Sequence, residues 1–577
     1  MDAVLTNARI YTSNAAQPWV DTAVIQHGRF TFVGSAAELT ASAVGNASAG
    51  RAGSAALPDV AELPKVDLRG RLVLPGVIDA HTHPAMVAAS SWHVQLPHTD
   101  DVDEMLDFIR DYGHRHPKET APYLHFEYYP TSMFGDGAPT RQLLDRAISD
   151  RPVLCQDAGD HASWVNTKML ELMGVNRDTP DPVPGLERFA RDEAGHPTGH
   201  VFEGAHLHFL DRMYETLGWR PPVDPTADTL VPVLDFLSQH GVTALFDAMV
   251  EDDRVLEVVA ELDRLGELKM HYEAAVRFRS REDLPAAIAR AHALNARFGS
   301  SRIRVRTLKL FLDGTNELGN SAVIDSLCSL ENAGPLGAMQ MELEELTQCL
   351  LQANEADIDV HIHLVGDRAF RTACDAVEAA QLALAEEPES WRIQVTLAHC
   401  ELVDEQDMSR PSKLGIFVNW TPHWSGGYFG EEARHHLGDE RWNRMYEFNQ
   451  IAEHGATVTF SSDVVSQAEL HRANPFFGMQ TAMTRIDPDA PLDASRFIDG
   501  VRPSEGSRLP LELLLRGFTI DAAKQLRIAD EHGSIAPGKR ANLVVLDENV
   551  FDAEPGSLSN ITPAAVMFEG RIVSGAL

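Results

Sequence analysis

Hydrophobic and polar residues alternate in two different ways along this chain. Near the N-terminus, AVLTNARIYT, DTAVIQHGRFTFVG and VDLRGRLVLPG alternate with period two, with glycine between the runs, which predicts short half-buried strands. GSIAPGKRANLVVLD and AAVMFEGRIVSG near the C-terminus repeat that pattern. The two ends are therefore expected to pair in one small β-sandwich, since chain termini often lie close together. An Ala-, Gly- and Ser-rich stretch from Thr40 to Pro58 interrupts the first part and reads as a flexible surface excursion.

The middle of the chain has a different rhythm. Apolar strand-like runs stand at Leu72–Asp79, Val242–Met249, Met270–Phe278, Val305–Asp313, Ile358–Leu364, Ile393–His399, Gly415–Thr421 and Ala456–Asp463. From the second run onward most are separated by helix-period segments such as DRVLEVVAELDRLG and ELEELTQCLLQANEA. Eight runs with intervening helices predict an α/β fold, a distorted TIM-type (β/α)8 barrel. The gap between the first and second runs is too long for one crossover and holds strand-like pieces of its own, YLHFEYYP and RPVLCQD. It reads as a subdomain inserted after strand one, over the barrel mouth. The expected organisation is residues 1–75 in the sandwich, 76–91 in the first barrel strand and its loop, 92–222 in the insertion, 223–530 in the rest of the barrel and 531–577 back in the sandwich.

Composition narrows the partners. With 85 acidic against 49 basic side chains, the net charge of -36 repels phosphate backbones and anionic lipid headgroups. Nucleic acid and membrane surfaces are therefore not expected partners; a small-molecule substrate is, with a homodimer left open. The five cysteines are odd in number and not in CxxC spacing, so neither a disulfide framework nor a structural zinc site is expected. The N-terminus lacks a basic region followed by a long apolar one, which points to the cytoplasm.

The chemistry sits at the ends of the apolar runs, where a barrel carries its active site. Run one ends in Asp79-Ala80-His81-Thr82-His83-Pro84. Residues two apart on a strand point the same way, so His81 and His83 can share one metal ion. Run four carries Lys309 inside VRTLKLFLDG, run five His361 and His363, run six His399, and run eight Asp463. A lone histidine at a strand end is more often a hydrogen-bonded core residue, and Lys309 has a simple alternative in a pair with Asp313. The order of the set over one barrel favours metal binding. Two other HxH pairs, His114/His116 and His206/His208, end no convincing strand and are set aside.

This ordered set resembles the amidohydrolase superfamily. The text Asp157-Ala158-Gly159-Asp160-His161 followed by Trp164 and Asn166, together with KLFLDG, HLVGDRA, LAHCELV and GSIAPGKRANLVVLD, is similar to its YtcJ-like branch, which includes N-substituted formamide deformylases. The resemblance implies one or two divalent ions, zinc first among them. His81, His83 and Asp463 would hold the more buried ion, and His363 and His399 the second. Lys309 would bridge them as a carbamate, because an ammonium cannot ligate a cation. The choice of His363 over His361 rests on the HxxGD text. The chain departs from the branch after strand seven, with Asn419-Trp420-Thr421-Pro422-His423-Trp424, and at strand eight, with Ser461-Ser462-Asp463-Val464-Val465. The metal machinery is kept while the pocket is rewritten.

The expected reaction is hydrolysis of an amide-like C–N bond by metal-activated water. Asp463 would serve as proton shuttle, and His161 and Trp420 as substrate contacts. A ligand-only or helix-capping Asp463 is the plainer alternative. Ring deamination, ester cleavage, decarboxylation and a non-catalytic binding role all remain compatible with the same fold.

Overall fold

The computed structural model describes all residues except 42–59, 98, 100, 135–137, 222–224, 330–333, 386–389 and 428–432. The excursion expected from Thr40 to Pro58 lies outside the described residues from position 42 on. Both chain ends do build one β-sandwich. One sheet runs in the order Arg29–Gly34, Thr22–Gln26, Ala3–Thr6, Lys65–Asp67. The other places the C-terminal strands Arg571–Gly575, Ala565–Phe568 and Leu543–Leu546 beside Leu72–Pro75, Arg9–Tyr11 and Trp19–Val20. Leu5, Ile25 and Phe30 from the first sheet pack with Val73, Leu543 and Met567 from the second in a core of their own, as alternate residues of paired sheets do.

Eight parallel strands form the barrel: β1 (Val77–Thr82), β2 (Val242–Asp247), β3 (His271–Arg277), β4 (Ile303–Phe311), β5 (Asp359–Leu364), β6 (Val395–His399), β7 (Phe417–Trp420) and β8 (Thr457–Phe460). Ladders join each to the next in sequence. Between β8 and β1 the closure comes from residues just past the strand: Asp463 N–H donates to the His81 carbonyl at 2.8 Å, and Ser462 N–H to Asp79 Oδ1 at 3.0 Å. Helices cover the outside. The helix Arg254–Leu265, for example, buries Val255, Leu256, Val259 and Leu262 against it, the spacing of one helical face.

One predicted run is corrected. Leu72–Asp79 is not a single barrel strand: the chain leaves the sandwich at Pro75 and enters β1 at Val77. Gly76 makes the crossing possible, because a Cβ there would stand 2.1 Å from Thr243 Oγ1.

The segment after β1 folds as a separate layer. Its six-stranded sheet runs Arg188–Arg191, Pro197–Phe202, Ala162–Val165, Val153–Asp157, Leu124–Tyr129, Val94–Gln95. The helix Val102–Arg115 packs on it, capped by Asp101, whose carboxylate accepts from the Asp103 and Glu104 N–H groups. Among the described residues no helix is long and apolar enough to cross a membrane.

Candidate metal centre

The carboxyl ends of the barrel strands converge on one buried cavity, and the inserted layer supplies its opposite wall. His81, His83, Lys309, His363, His399 and Asp463 all line it, as does His161 from the insertion. The tightest donor group is His81, His83 and Asp463. His81 Nε2 lies 3.4 Å and His83 Nε2 3.2 Å from Asp463 Oδ1. Ligands at about 2.0–2.1 Å from a tetrahedral ion stand roughly 3.3 Å from one another, so this spacing fits a zinc-like ion.

Local structure aims these side chains. His81 and His83 alternate with Thr82 at the end of β1, so both rings face the mouth. Asp463 has φ +48° and His399 φ +74°. Side chains rarely adopt this left-handed conformation, and residues held in it cluster at functional sites. No helix begins at Asp463, which removes the capping alternative.

The remaining residues fall around this group. His399 Nδ1 lies 3.5 Å from Asp463 Oδ2 and makes no hydrogen bond although buried. His83 Nδ1 is also buried and unpartnered. His363 and His399 have ring centroids 4.5 Å apart. Lys309 Nζ is 3.1 Å from His81 Nε2. Its alternative pairing fails, because Asp313 instead accepts the Ala322, Val365 and Gly366 N–H groups at 2.8, 2.9 and 3.0 Å. His361 lies behind the cavity, its Nε2 3.0 Å from His81 Nδ1. With His81 Nε2 turned toward Asp463, the Nδ1–H is the donor, and His361 fixes the ring as an outer partner of a ligand does.

Burial sets the protonation. It is the main reason His81, His361, His363 and His399 are all held well below the ordinary histidine pKa, with Lys309 and the neighbouring rings adding to it. Neutral imidazole is the form that ligates a metal. Burial also lowers Lys309 to about 7, so a large share of its amine is free at neutral pH.

His161 behaves in the opposite way. Burial disfavours its charge, but Glu203 accepts from Nδ1–H at 2.7 Å and, with Asp157 and Asp160 nearby, raises its pKa to about 10. Glu203 is itself held by Asn320 Nδ2 at 2.8 Å. The result is an imidazolium facing the cavity across from His363, with ring centroids 5.6 Å apart.

Trp420 is not in the cavity, contrary to the sequence expectation. Its fully buried ring stacks on Phe448 at 4.4 Å, on the barrel's outer face. Strand parity accounts for this. Val418 and Trp420 share the outer face, whereas Asn419 points inward and donates to Thr459 Oγ1 at 3.0 Å. Trp424, four residues on, lines the cavity and stacks on His399 at 5.3 Å. Sequence reasoning also missed Glu203, Arg277 and Glu401, which line the cavity from distant segments; Glu401 carried a weak signal, standing two residues after His399.

Known proteins share this architecture. The profile of the amidohydrolase family matches residues 65–574. The chain is 28% identical over 463 residues to the exoenzymes regulatory protein AepA of Pectobacterium carotovorum subsp. carotovorum, covering 79% of this chain and 92% of that protein. It is 26% identical over 591 residues to the N-substituted formamide deformylase of Arthrobacter pascens, covering 99% and 97%. The crystal structure of an uncharacterized metal-dependent hydrolase from Pyrococcus horikoshii OT3 superposes with a TM-score of 0.66 at 21% identity, covering 96% of this chain and 99% of that one, which shows the shared fold.

Proposed function

The chain belongs to the amidohydrolase family, and from that premise we propose that it is a metal-dependent hydrolase cleaving an amide-like C–N bond of a small molecule. The observation that carries the reading is the convergence of His81 Nε2, His83 Nε2 and an Asp463 carboxylate oxygen in one buried cavity. The deformylase relative, aligned over 99% of this chain, supports the choice of a C–N bond.

His81, His83 and Asp463 would hold a first ion, and His363 and His399 a second, with zinc the best match to the nitrogen-rich donors. Such an ion supplies Lewis acidity and makes water nucleophilic near neutral pH. Lys309 would join the donor set as a carbamate, its free amine adding to carbon dioxide with loss of a proton. Asp463 accepts a proton from the attacking water at Oδ2 and returns it to the leaving nitrogen, which departs only when protonated. The His161 imidazolium faces the reacting group from the lid side and stabilises negative charge developing there. Trp424, stacked on His399, gives the substrate a flat apolar wall.

The test is metal analysis combined with a hydrolysis panel of amides, carbamates and lactams on metal-loaded enzyme. About one to two divalent ions per chain and chelator-sensitive cleavage of at least one compound are expected. Cleavage that survives complete metal removal would refute the metal reading. A metal-loaded enzyme that cleaves esters but none of the amides would refute the bond assignment.

A further inference from the structure

The cavity above His81 and His83 is small, about 190 Å³, below the roughly 300–1,000 Å³ that encloses a typical small-molecule ligand. It has room for a reacting group and little more. Beside it lies a second groove of about 600 Å³. The two adjoin: Met86, Leu207, Met249 and Arg277 line both.

The groove begins where the first metal ligands end. His83 is followed by the helix Pro84–Ala89, and Ala85, Ala88 and Ala89 line the groove from it. Positions i, i+3 and i+4 share one helical face, and three alanines there leave a channel where larger side chains would fill it. At the junction, Met86 and Leu207 stay 37% and 58% exposed. An unbranched methionine adjusts readily to the shape of an apolar guest.

The charges along the groove are already matched. Arg277 donates to Glu187 at 2.8 Å, His208 bonds the same carboxylate at 2.5 Å, Arg279 pairs with Glu251 at 3.6 Å, and Asp252 with Arg254 at 2.6 Å. An ionic arm would have to break one of these pairs, whereas an uncharged apolar arm breaks none.

From this adjacency we infer that the substrate is a two-part molecule: a compact hydrolysable head at His81, His83 and Asp463, and an uncharged apolar arm lying in the groove between the helix Pro84–Ala89 and the insertion. The inference rests on the preceding reading for the head and assigns the arm independently of which bond is cut. Head binding puts the arm past Met86, Leu207 and Met249, and the arm's burial then supplies affinity in proportion to its length.

A homologous series of straight-chain hydroxamates, from acetohydroxamate to octanohydroxamate, tests this by calorimetry on the full-length zinc-loaded protein. The hydroxamate head chelates zinc whatever bond the enzyme cleaves. Affinity should rise about fourfold for each methylene buried in the groove. Ala89→Trp, which fills the groove from the helix, should abolish the gain with length while metal content stays at the parental level. Thr229→Trp, on the helix Ala227–Gln239 that packs beside Pro84–Ala89 and also lines the groove, serves the same purpose should Ala89→Trp fail to fold. Affinity independent of chain length in the parent, or a length dependence that survives in a folded, metal-loaded variant, would overturn the proposal. Failure of the amide panel with the length dependence intact would sink the bond assignment alone. Absence of binding by every hydroxamate would remove the metal-bound head and the arm with it.

Discussion

Replacing Glu203 by glutamine keeps the shape of the side chain and removes one buried charge. In the parent the Glu203 carboxylate accepts from His161 Nδ1–H at 2.7 Å, and the His161 pKa stands near 10. The side chains are 23% and 9% exposed, so water screens the pair only in part. A rise from the ordinary 6.5 to about 10 corresponds to an upper figure of about 5 kcal/mol favouring the charged ring in the fold. A folded-state pKa above the unfolded value stabilises the protein fully below pH 6.5, and that stabilisation disappears as pH climbs through 10. The metal-free parent should therefore lose stability across this window relative to Glu203→Gln, in which the largest influence holding the ring protonated is gone and the His161 pKa falls. Urea unfolding at pH 6 and pH 9.5 measures the stability difference, and NMR of ring-labelled histidine follows the titration directly. A His161 that titrates near 6.5 in both proteins, with parallel stability curves, would refute the ion-pair argument.

Three further outcomes are expected. Asp463→Asn should keep most of its metal yet lose roughly 10²-fold or more in turnover, while His81→Ala should lose metal and turnover together; metal analysis beside rate measurement separates the two roles. Because burial brings Lys309 to about 7, protein equilibrated with ¹³C-bicarbonate at pH 8 should show a carbamate carbon resonance that is absent from Lys309→Ala, and short carboxylic acids should partly rescue that variant. Trp420→Ala should destabilise the fold by about 3–5 kcal/mol through the cavity left beside Phe448, whereas Trp424→Ala should leave the melting temperature nearly unchanged and alter kcat and KM.

The barrel was legible in the sequence because most of its strands are buried along nearly their whole length, which writes apolar runs; β4 is the exception, with Arg304, Arg306 and Thr307 half-buried. The sandwich was legible from its short apolar runs set off by glycine, although Thr22–Gln26, Leu72–Pro75 and Leu543–Leu546 are buried throughout and not on alternate residues. The single merged run, Leu72–Asp79, had no polar residue to mark the change of sheet, which the strand pairing and the crowding of Thr243 against Gly76 reveal. Strand-end histidines were legible because alternation fixes their direction, but alternation cannot give depth. His361 and His363 lie on the same face of β5, yet one lies behind His81 and the other lines the cavity. Trp420 shares the strand parity of Val418, which sends it outward against Phe448 and away from the mouth. Glu203 could not be found by pattern: it meets the site only through the folding of the insertion onto the barrel, a contact between segments far apart in sequence, whereas Arg277 ends β3 and reaches the mouth as the strand-end histidines do.

The joint between β1 and β8 has a wider consequence. Every other neighbouring pair of barrel strands is stitched by a ladder, whereas here the tie is made by Ser462 and Asp463 reaching back to Asp79 and His81. His81 and His83 stand on one side of that seam and Asp463 on the other. An ion shared by all three would act as a rivet across the barrel's weakest circumference, so that loading and structural closure become a single linked equilibrium. Amides of β1 and of the segment after β8 would then report metal occupancy through their hydrogen exchange while the ladders from β2 to β7 stay protected. Loss of the ion would be a mechanical event for the barrel as well as a chemical one.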